Sequence, residues 1–176
     1  MRSVLLIAPH NSYRIHAYIE AAQRLDISLV IASQSEFSLV SAVANGIQID
    51  FSDTALSLQR IVTAHQEHQF RAVIASDDGS VALAALVGKT LGLSANAEDS
   101  AKLTQRKDLA RLRLKQHGQP IPDFRVVNTF LPLLDQLSQL NYPVVVKPVS
   151  MSGSKGVIKA NNEQECIAAL ERIKPL

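Results

Sequence analysis

Residues 142–157 read Tyr-Pro-Val-Val-Val-Lys-Pro-Val-Ser-Met-Ser-Gly-Ser-Lys-Gly-Val, and the rest of the chain is interpreted outward from this stretch. Its valines predict a buried strand over residues 144–147, with Lys147 at the end of that strand. A buried ammonium group needs an anionic partner, and the following loop supplies small residues, hydroxyl groups, backbone N–H groups and a second cation, Lys155. The stretch therefore predicts a phosphate-binding loop. A surface hairpin whose Lys147 extends into solvent is the alternative.

A second landmark lies upstream of this loop. Residues 106–109 read Arg-Lys-Asp-Leu, and residues 118–122 read Gly-Gln-Pro-Ile-Pro. With residues 142–157, these stretches resemble the ATP-grasp superfamily, in particular the corresponding regions of biotin carboxylase and glycinamide ribonucleotide synthetase. The order and spacing of Lys107, Gly118 and Lys147 match that family's pattern, so the resemblance is strongest over residues 104–160.

The resemblance implies an ATP-dependent carboxylate–amine ligase, in which ATP phosphorylates a carboxylate and a nucleophile attacks the acyl phosphate. Lys107 and Lys147 would match the lysines that contact the nucleotide phosphates. The mobile loop over the β- and γ-phosphates would comprise Ser152, Gly153, Ser154, Lys155 and Gly156. This loop has fewer glycines than the family's glycine-dense versions, so we expect it to be somewhat stiffer.

The resemblance also implies the domain organisation and the cofactors. Residues 1–95 would form the Rossmann-like domain that precedes an ATP-grasp domain, and residues 96–176 the first lobe of that domain. The second lobe, which carries the adenine hinge and the Mg²⁺ ligands, is not in this sequence. We therefore expect no metal site here, and an amino-terminal portion of a ligase that is inactive alone. A non-catalytic nucleotide-binding or interaction module is the alternative.

The amino-terminal half predicts an open parallel α/β sheet. Apolar runs predict strands over residues 3–8, 27–32, 47–51 and 72–75, and helices are predicted between and after them, over residues 11–25, 37–44 and 81–91 and from an N-cap at Ser52. The regular alternation of strands and helices ends after residue 91. The sequence then predicts a single charged helix over 98–117. It also predicts strands over 124–127 and 157–159, and helices over 131–140 and 163–172. No Gly-x-Gly-x-x-Gly follows the first strand, which argues against a dinucleotide site.

Polar residues follow the first and fourth predicted strands, at the edge where open α/β sheets bind ligands. They are Asn11, Ser12, Arg14, Asp77 and Asp78. We predict that they contact a small carboxylate substrate; ordinary helix capping is the alternative.

Composition excludes several classes of partner. The net charge is +2, aromatic residues make up 5%, and Trp is absent, so no strong basic field or stacking platform for nucleic acid is expected. No apolar stretch approaches the length of a membrane span, and the single cysteine suits a reducing cytoplasm. The predicted partners are thus ATP and a small carboxylate, together with a homodimer formed through an exposed apolar patch.

Three other motifs are weaker. Gly88-Lys89-Thr90 lacks the preceding glycine of a phosphate-binding P-loop and falls within a predicted helix. His65 and His68 are one helical turn apart, which more often marks a helix end than a metal site. Cys166 on an apolar helix is predicted to be a core residue rather than a nucleophile.

Overall fold

The computed structural model describes residues 2–34 and 46–175, without the side chain of Arg2. The chain divides into two compact units, Met1–Thr104 and Gln105–Leu176, called here the first and second units. The predicted helix over residues 37–44 lies outside the described residues.

The first unit is an open parallel sheet with helices, as predicted. The strand order is β3-β2-β1-β4 and every pairing is parallel. Its strands are β1 (Arg2–Ile7), β2 (Ile27–Ser33), β3 (Gly46–Gln48) and β4 (Phe70–Ala75), and its helices are α1 (Ile15–Arg24), α2 (Thr54–His68), α3 (Val81–Leu91) and α4 (Glu98–Thr104). A 3₁₀ turn, Asp78–Ser80, precedes α3.

The central strand β1 is apolar from Val4 to Ile7 because both of its faces are covered there. Leu5 and Ile7 pack into the core on one side with Ile61 of α2. Leu6 packs on the other side with Ile15 of α1. A strand buried on both faces loses the alternation of apolar and polar residues, which explains the continuous run in the sequence.

The cap of α2 differs from the prediction. Asp53, not Ser52, occupies the N-cap, and its Oδ1 accepts a hydrogen bond of 2.9 Å from the amide of Leu56. The Ser52 hydroxyl instead donates to Oδ1 of Asp50 at 2.7 Å. A carboxylate at this position also suits the positive end of the helix dipole, which the hydroxyl does not.

The single helix predicted over residues 98–117 is wrong. Helix α4 ends at Thr104, and a separate helix, α5 (Lys107–Gln116), starts after an extended Arg106. The amide of Lys107 donates to the carbonyl of Val149 rather than to a residue in α4. The two compact units part within this break, and α4 belongs by its packing to the first unit; the predicted boundary at residues 95/96 stays a prediction.

The second unit contains α5, α6 (Leu133–Leu137), the antiparallel pair β5 (Val144–Val146) and β6 (Ile158–Ala160), and α7 (Glu163–Ile173). One face of the β5–β6 pair is buried under α7, with Val146, Ala160 and Cys166 in a common core. Cys166 is therefore a core residue, as predicted. Helix α6 is shorter than the predicted 131–140.

The strand predicted over residues 124–127 is wrong. Side-chain bonds fix this segment instead: Arg125 donates to the carbonyls of Gln136 and Ser138, at 2.8 and 2.7 Å. Nearby, the amide of Asn128 donates to the Gln136 side chain at 2.8 Å. Since none of the described strands pairs with the segment, its apolar residues alone do not make a strand.

Candidate functional site

The loop that joins β5 to β6, residues 147–157, has backbone conformations that suit close approach to a ligand. Gly153, Ser154 and Gly156 all lie in the left-handed region, with φ of 66°, 60° and 68°. Glycine reaches this region without steric cost, so both glycines are required by the path of the chain. Residues 152–155 are exposed. Ser154 adopts the same conformation with a side chain, which restricts the loop.

The start of α5 holds this loop at two points. The amide of Lys107 donates to the carbonyl of Val149 at 3.0 Å, and its ammonium group donates to the carbonyl of Met151. Lys107 thus lies at the loop, while its predicted contact with the nucleotide phosphates stays a prediction. Its ammonium group serves first as a tether for the loop, a role that the sequence did not indicate.

Three cations gather beside the loop: Lys107, Lys147 and Arg111, called here the cation cluster. The pKa of Lys147 is lowered, first by burial and then by the positive charges of Arg111 and Lys107. Among the residues that the structure describes, no carboxylate contributes to this shift. Such an arrangement of positive charge is costly unless an anion occupies it.

Arg111 was missed by sequence reasoning, although a signal was present. It lies four residues after Lys107 in α5, so the two side chains share one face of the helix. Its guanidinium group also stacks over the Phe124 ring, 5.5 Å from the ring centre.

Lys155 and the loop hydroxyls are placed less tightly. Lys155, Ser152 and Ser154 are exposed, and the Lys155 amide donates to the Ser152 carbonyl in a long bond of 3.4 Å. In the part of the chain that the structure describes, no contact joins the Lys155 side chain to the cation cluster. Lys155 would have to move with the loop to reach an anion held there.

The face of the β5–β6 pair opposite α7 is open. Val145 of β5 is 56% exposed and Val157, which immediately precedes β6, is 48% exposed, while Val146 on the other face is buried. Val145 pairs with Lys159 across the two strands. The sequence could not assign these faces, because three successive valines carry no alternation.

The predicted substrate residues meet at the topological switch point of the first unit. The connection after β1 leads to β2 on one side, while β4 lies on the other, so a crevice opens between the carboxyl ends of β1 and β4. Here the Ser12 hydroxyl donates to Oδ2 of Asp77 at 2.6 Å. The Arg14 Nη1 donates to the Ser76 carbonyl at 2.8 Å.

Ser76, which the sequence did not single out, completes this arrangement. It is 2% exposed, and its hydroxyl donates to the same Asp77 oxygen. Ser12, Arg14, Ser76 and Asp77 are called here the switch-point cluster. Asn11 and Asp78, also predicted as substrate residues, are exposed at the same edge.

The weaker motifs have structural explanations. Gly88 lies inside α3, where a Cβ would collide with the side chain of Ala95, so it serves close packing rather than phosphate binding. The Nδ1 atom of His65 accepts a hydrogen bond from the Phe70 amide at 3.1 Å. Across the described residues, no group of three or more His, Cys, Asp or Glu side chains could hold a metal ion. None of the described helices is long and apolar enough to cross a membrane.

Comparison with known proteins extends the resemblance to tertiary structure. An L-amino acid ligase from Bacillus licheniformis superposes with a TM-score of 0.75 at 19% identity, covering 99% of this chain and 42% of that protein. A carboxyaminoimidazole ribonucleotide synthase from Aspergillus clavatus, solved with ATP, gives 0.75 at 18% identity, covering 98% and 44%. An N5-carboxyaminoimidazole ribonucleotide synthetase solved with ADP gives 0.72 at 17% identity, covering 97% and 44%.

Sequence comparison finds a more limited match. A D-alanine–D-alanine ligase from Thermoanaerobacter sp. (strain X514) is 33% identical over 77 residues, which are 41% of this chain and 21% of the ligase. No family model matches the chain. The chain spans less than half the length of the solved structures named above and about a fifth of this curated relative. The chain has the mixed α/β fold of the amino-terminal portion of ATP-grasp carboxylate–amine ligases.

Proposed function

We propose that this chain is the amino-terminal portion of an ATP-dependent carboxylate–amine ligase, in which ATP phosphorylates a carboxylate and the acyl phosphate then reacts with a nucleophile. The observation that carries the proposal is the cation cluster, in which Lys107 and Arg111 lie near Lys147 beside an exposed loop and no described carboxylate is among the causes that shift the pKa of Lys147. A polyphosphate is the ligand that matches this charge, and the fold shared with ATP-grasp ligases supports that choice.

In this proposal the cation cluster neutralises charge on the phosphate oxygens. Phosphoryl transfer spreads negative charge over those oxygens in the transition state, so fixed cations lower its energy. Lys107 retains ammonium N–H donors beyond the one that binds the Met151 carbonyl. It can therefore tether the loop and bind a phosphate at once.

The 147–157 loop supplies the remaining phosphate contacts. Backbone N–H groups at Gly153 and Gly156, and the hydroxyls of Ser152 and Ser154, are donors on a largely exposed segment. Closure of the loop over the γ-phosphate would add the charge of Lys155 and exclude water. The exposed side chains of Val145 in β5 and of Val157 at the end of the loop would give the adenine ring an apolar surface.

Magnesium would accompany the nucleotide, with its ligands supplied by a part of the ligase that this sequence does not include. The described residues offer no fitting set of ligands, so no step on these residues is assigned to the metal.

The switch-point cluster would bind the carboxylate substrate, with Arg14 as the cationic partner. A cytoplasmic location is part of the proposal, since the free Cys166 suits a reducing compartment.

Self-association is a separate part of the proposal. Several large apolar side chains of the second unit are exposed, among them Phe130 at 82%, Leu134 at 61% and Leu131 at 56%. Burying such side chains between two copies of the chain is favourable. Light scattering that gives the mass of a monomer at high concentration would remove this part of the proposal.

The nucleotide site is tested by titrating the ¹⁵N-labelled chain with ATP, tripolyphosphate and adenosine while recording amide chemical shifts. We expect ATP and tripolyphosphate, but not adenosine, to shift the amides of Lys107, Arg111 and residues 149–156. Lys147→Ala removes one charge from the cluster and should weaken ATP binding at least about tenfold, a cost of about 1.4 kcal/mol.

The matched control is Lys115→Ala, which removes the same charge from the last turn of α5. It should leave ATP binding within about twofold of the unaltered chain. Equal weakening by the two variants would show attraction by net charge alone. Amide chemical-shift changes spread evenly over the surface would also show attraction by net charge alone. Either result would refute the nucleotide site.

A further inference from the structure

We propose that the switch-point cluster of the first unit binds an α-amino acid as its zwitterion, with the ligand carboxylate on Arg14 and the ligand ammonium on Asp77. The inference rests on the proposed function, because it names the class of carboxylate that the ligase activates. It goes further because it requires the ligand to carry a positive and a negative charge, whereas the proposed function requires only the negative charge of a carboxylate.

The first observation is the environment of Asp77. Its Oδ2 accepts hydrogen bonds from two neutral hydroxyls, those of Ser12 and Ser76, and the residue is half-buried. Hydroxyl donors stabilise a carboxylate without cancelling its charge. An ammonium group is the complementary ligand, since a hydrogen bond between two charged groups is stronger than one between neutral groups.

The second observation is the orientation of Arg14. Its Nη1 donates to the Ser76 carbonyl at 2.8 Å, and its Nε donates to the Tyr13 hydroxyl at 3.2 Å. These bonds direct the guanidinium group to one place at the mouth of the crevice and leave other N–H donors for a ligand. The side chain is exposed, so a small molecule can reach it.

The two charges are neighbours without being partners. Asp77 adds to the electrostatic influences that raise the pKa of Arg14, after those of Tyr13. Among the described residues, however, the ion pairs include none between Arg14 and Asp77. A ligand that carries a cation and an anion on adjacent carbon atoms can contact Asp77 with the first group and Arg14 with the second. A ligand with a carboxylate alone would place its charge near that of Asp77 and be repelled.

The cluster is also held in place before any ligand binds. The Ser80 hydroxyl donates to the Asp77 carbonyl at 2.7 Å and accepts from the Asp77 amide at 3.3 Å. Ser80 is fully buried and Ser76 is 2% exposed. Little side-chain or backbone entropy remains to be lost at Asp77 when a ligand binds, which favours binding of even a small molecule.

The test is an amide chemical-shift titration of the ¹⁵N-labelled chain with each proteinogenic amino acid in turn. The best binder is then compared with its matched amine, which lacks the carboxylate, and its matched acid, which lacks the amino group. We expect at least one amino acid to shift the amides around Ser12, Arg14 and Asp77. Both single-charge analogues should bind at least about tenfold more weakly.

Two variants assign the charges. In Arg14→Gln, the amino acid should bind no more tightly than its matched amine, because the partner of the ligand carboxylate is gone. In Asp77→Asn, the amino acid should bind no more tightly than its matched acid, because the partner of the ligand ammonium is gone. The controls are Arg24→Gln at the far end of α1, about 15 Å along the helix, and Asp26→Asn in the turn that follows it. Both controls should leave amino-acid binding unchanged.

The outcomes separate this inference from the proposed function. If no amino acid shifts these amides, or if the matched acid binds as tightly as the amino acid, the zwitterion site is refuted while ATP binding in the second unit is judged by its own titration. If amino acids bind here as described and ATP fails to bind, the zwitterion site stands and the ligase proposal falls.

Discussion

The ammonium group of Lys107 donates a hydrogen bond to the main-chain carbonyl of Met151, 44 residues later in the chain. The Lys107 amide donates a second bond to Val149, at 3.0 Å. The first residue of α5 is thereby joined to the 147–157 loop through its backbone and its side chain. The loop is presented at the amino terminus of a helix, where anions are favoured.

Lys107→Met tests the side-chain half of this link. The variant keeps the length of the side chain and its amide bond to Val149, and loses the bond to Met151 together with one positive charge, which the control below also loses. We expect the free energy of local opening of the loop to fall by about 1 kcal/mol. Hydrogen exchange of the amides of residues 149–156 measures this change. Lys115→Met, on an exposed turn of the same helix, should leave their exchange unchanged; equal rates in the two variants would contradict the link.

Asp108 stabilises the start of α5 through Arg106. The Arg106 Nε and Nη2 atoms donate to its two carboxylate oxygens at 3.0 and 2.7 Å, and Asp108 is 7% exposed. The hydrogen bond from Arg106 is the largest cause that lowers the pKa of Asp108. We expect Asp108→Asn to lower the free energy of unfolding by about 1–2 kcal/mol at neutral pH.

The same pair predicts a pH dependence. Because the folded-state pKa of Asp108 is lowered, its contribution to stability is present above the ordinary aspartate pKa of about 3.9 and is lost as the pH falls through the folded-state value. Denaturant unfolding between about pH 6 and pH 3 should therefore show a steeper acid decline for the unaltered chain than for Asp108→Asn. Parallel declines would show that the ion pair does not act in this way.

Gly88 tests close packing in the first unit. A Cβ at this position would collide with the Ala95 side chain, so Gly88→Ala should lower the free energy of unfolding by about 1–3 kcal/mol. Ala95→Gly in the same chain should restore part of the loss, as a double-mutant cycle would show. Gly79→Ala is the matched control, because a Cβ added at Gly79 would meet nothing within 4 Å. Equal effects of Gly88→Ala and Gly79→Ala would argue against the contact.

Asp53 and Ser52 are adjacent at the start of α2, so their contributions as the N-cap can be compared directly. Asp53→Ala removes the acceptor for the Leu56 amide and should lower the free energy of unfolding by about 1 kcal/mol. Ser52→Ala loses only an exposed bond to Asp50 and should have less than half that effect. Denaturant unfolding of both variants decides which residue is the cap, and a larger loss for Ser52→Ala would restore the sequence-based prediction.

The helix break at Gln105 and Arg106 illustrates where sequence reasoning failed. Residues 98–117 are rich in helix-favouring side chains, and no Gly or Pro interrupts residues 98–116. Local propensity therefore predicts a continuous helix. The break is instead stabilised by the Arg106–Asp108 pair and by the bond from Lys107 to Val149, a contact with a residue far away in sequence. Helix propensity depends only on residues that are near in sequence, so it does not detect such a contact.

The candidate sites show the same division. The sequence alone predicted that Ser12, Arg14 and Asp77 lie at one sheet edge, because parallel strands end together. Ser76 and Arg111 were missed: Ser76 because a serine after an apolar strand is unremarkable, and Arg111 because its neighbour Lys147 is 36 residues away in the chain.

The sequence by itself predicted the strands and helices that the structure describes within residues 2–34 and 46–91, and the loop of small residues after Lys147, since apolar runs and glycines act locally on the backbone. Only the tertiary structure decided which strands are neighbours, which face of the Val144–Val146 strand is open, and which charges gather. Those features depend on contacts between residues far apart in the chain, such as Lys107 with Met151 and Ser12 with Asp77, whose energies no local pattern encodes.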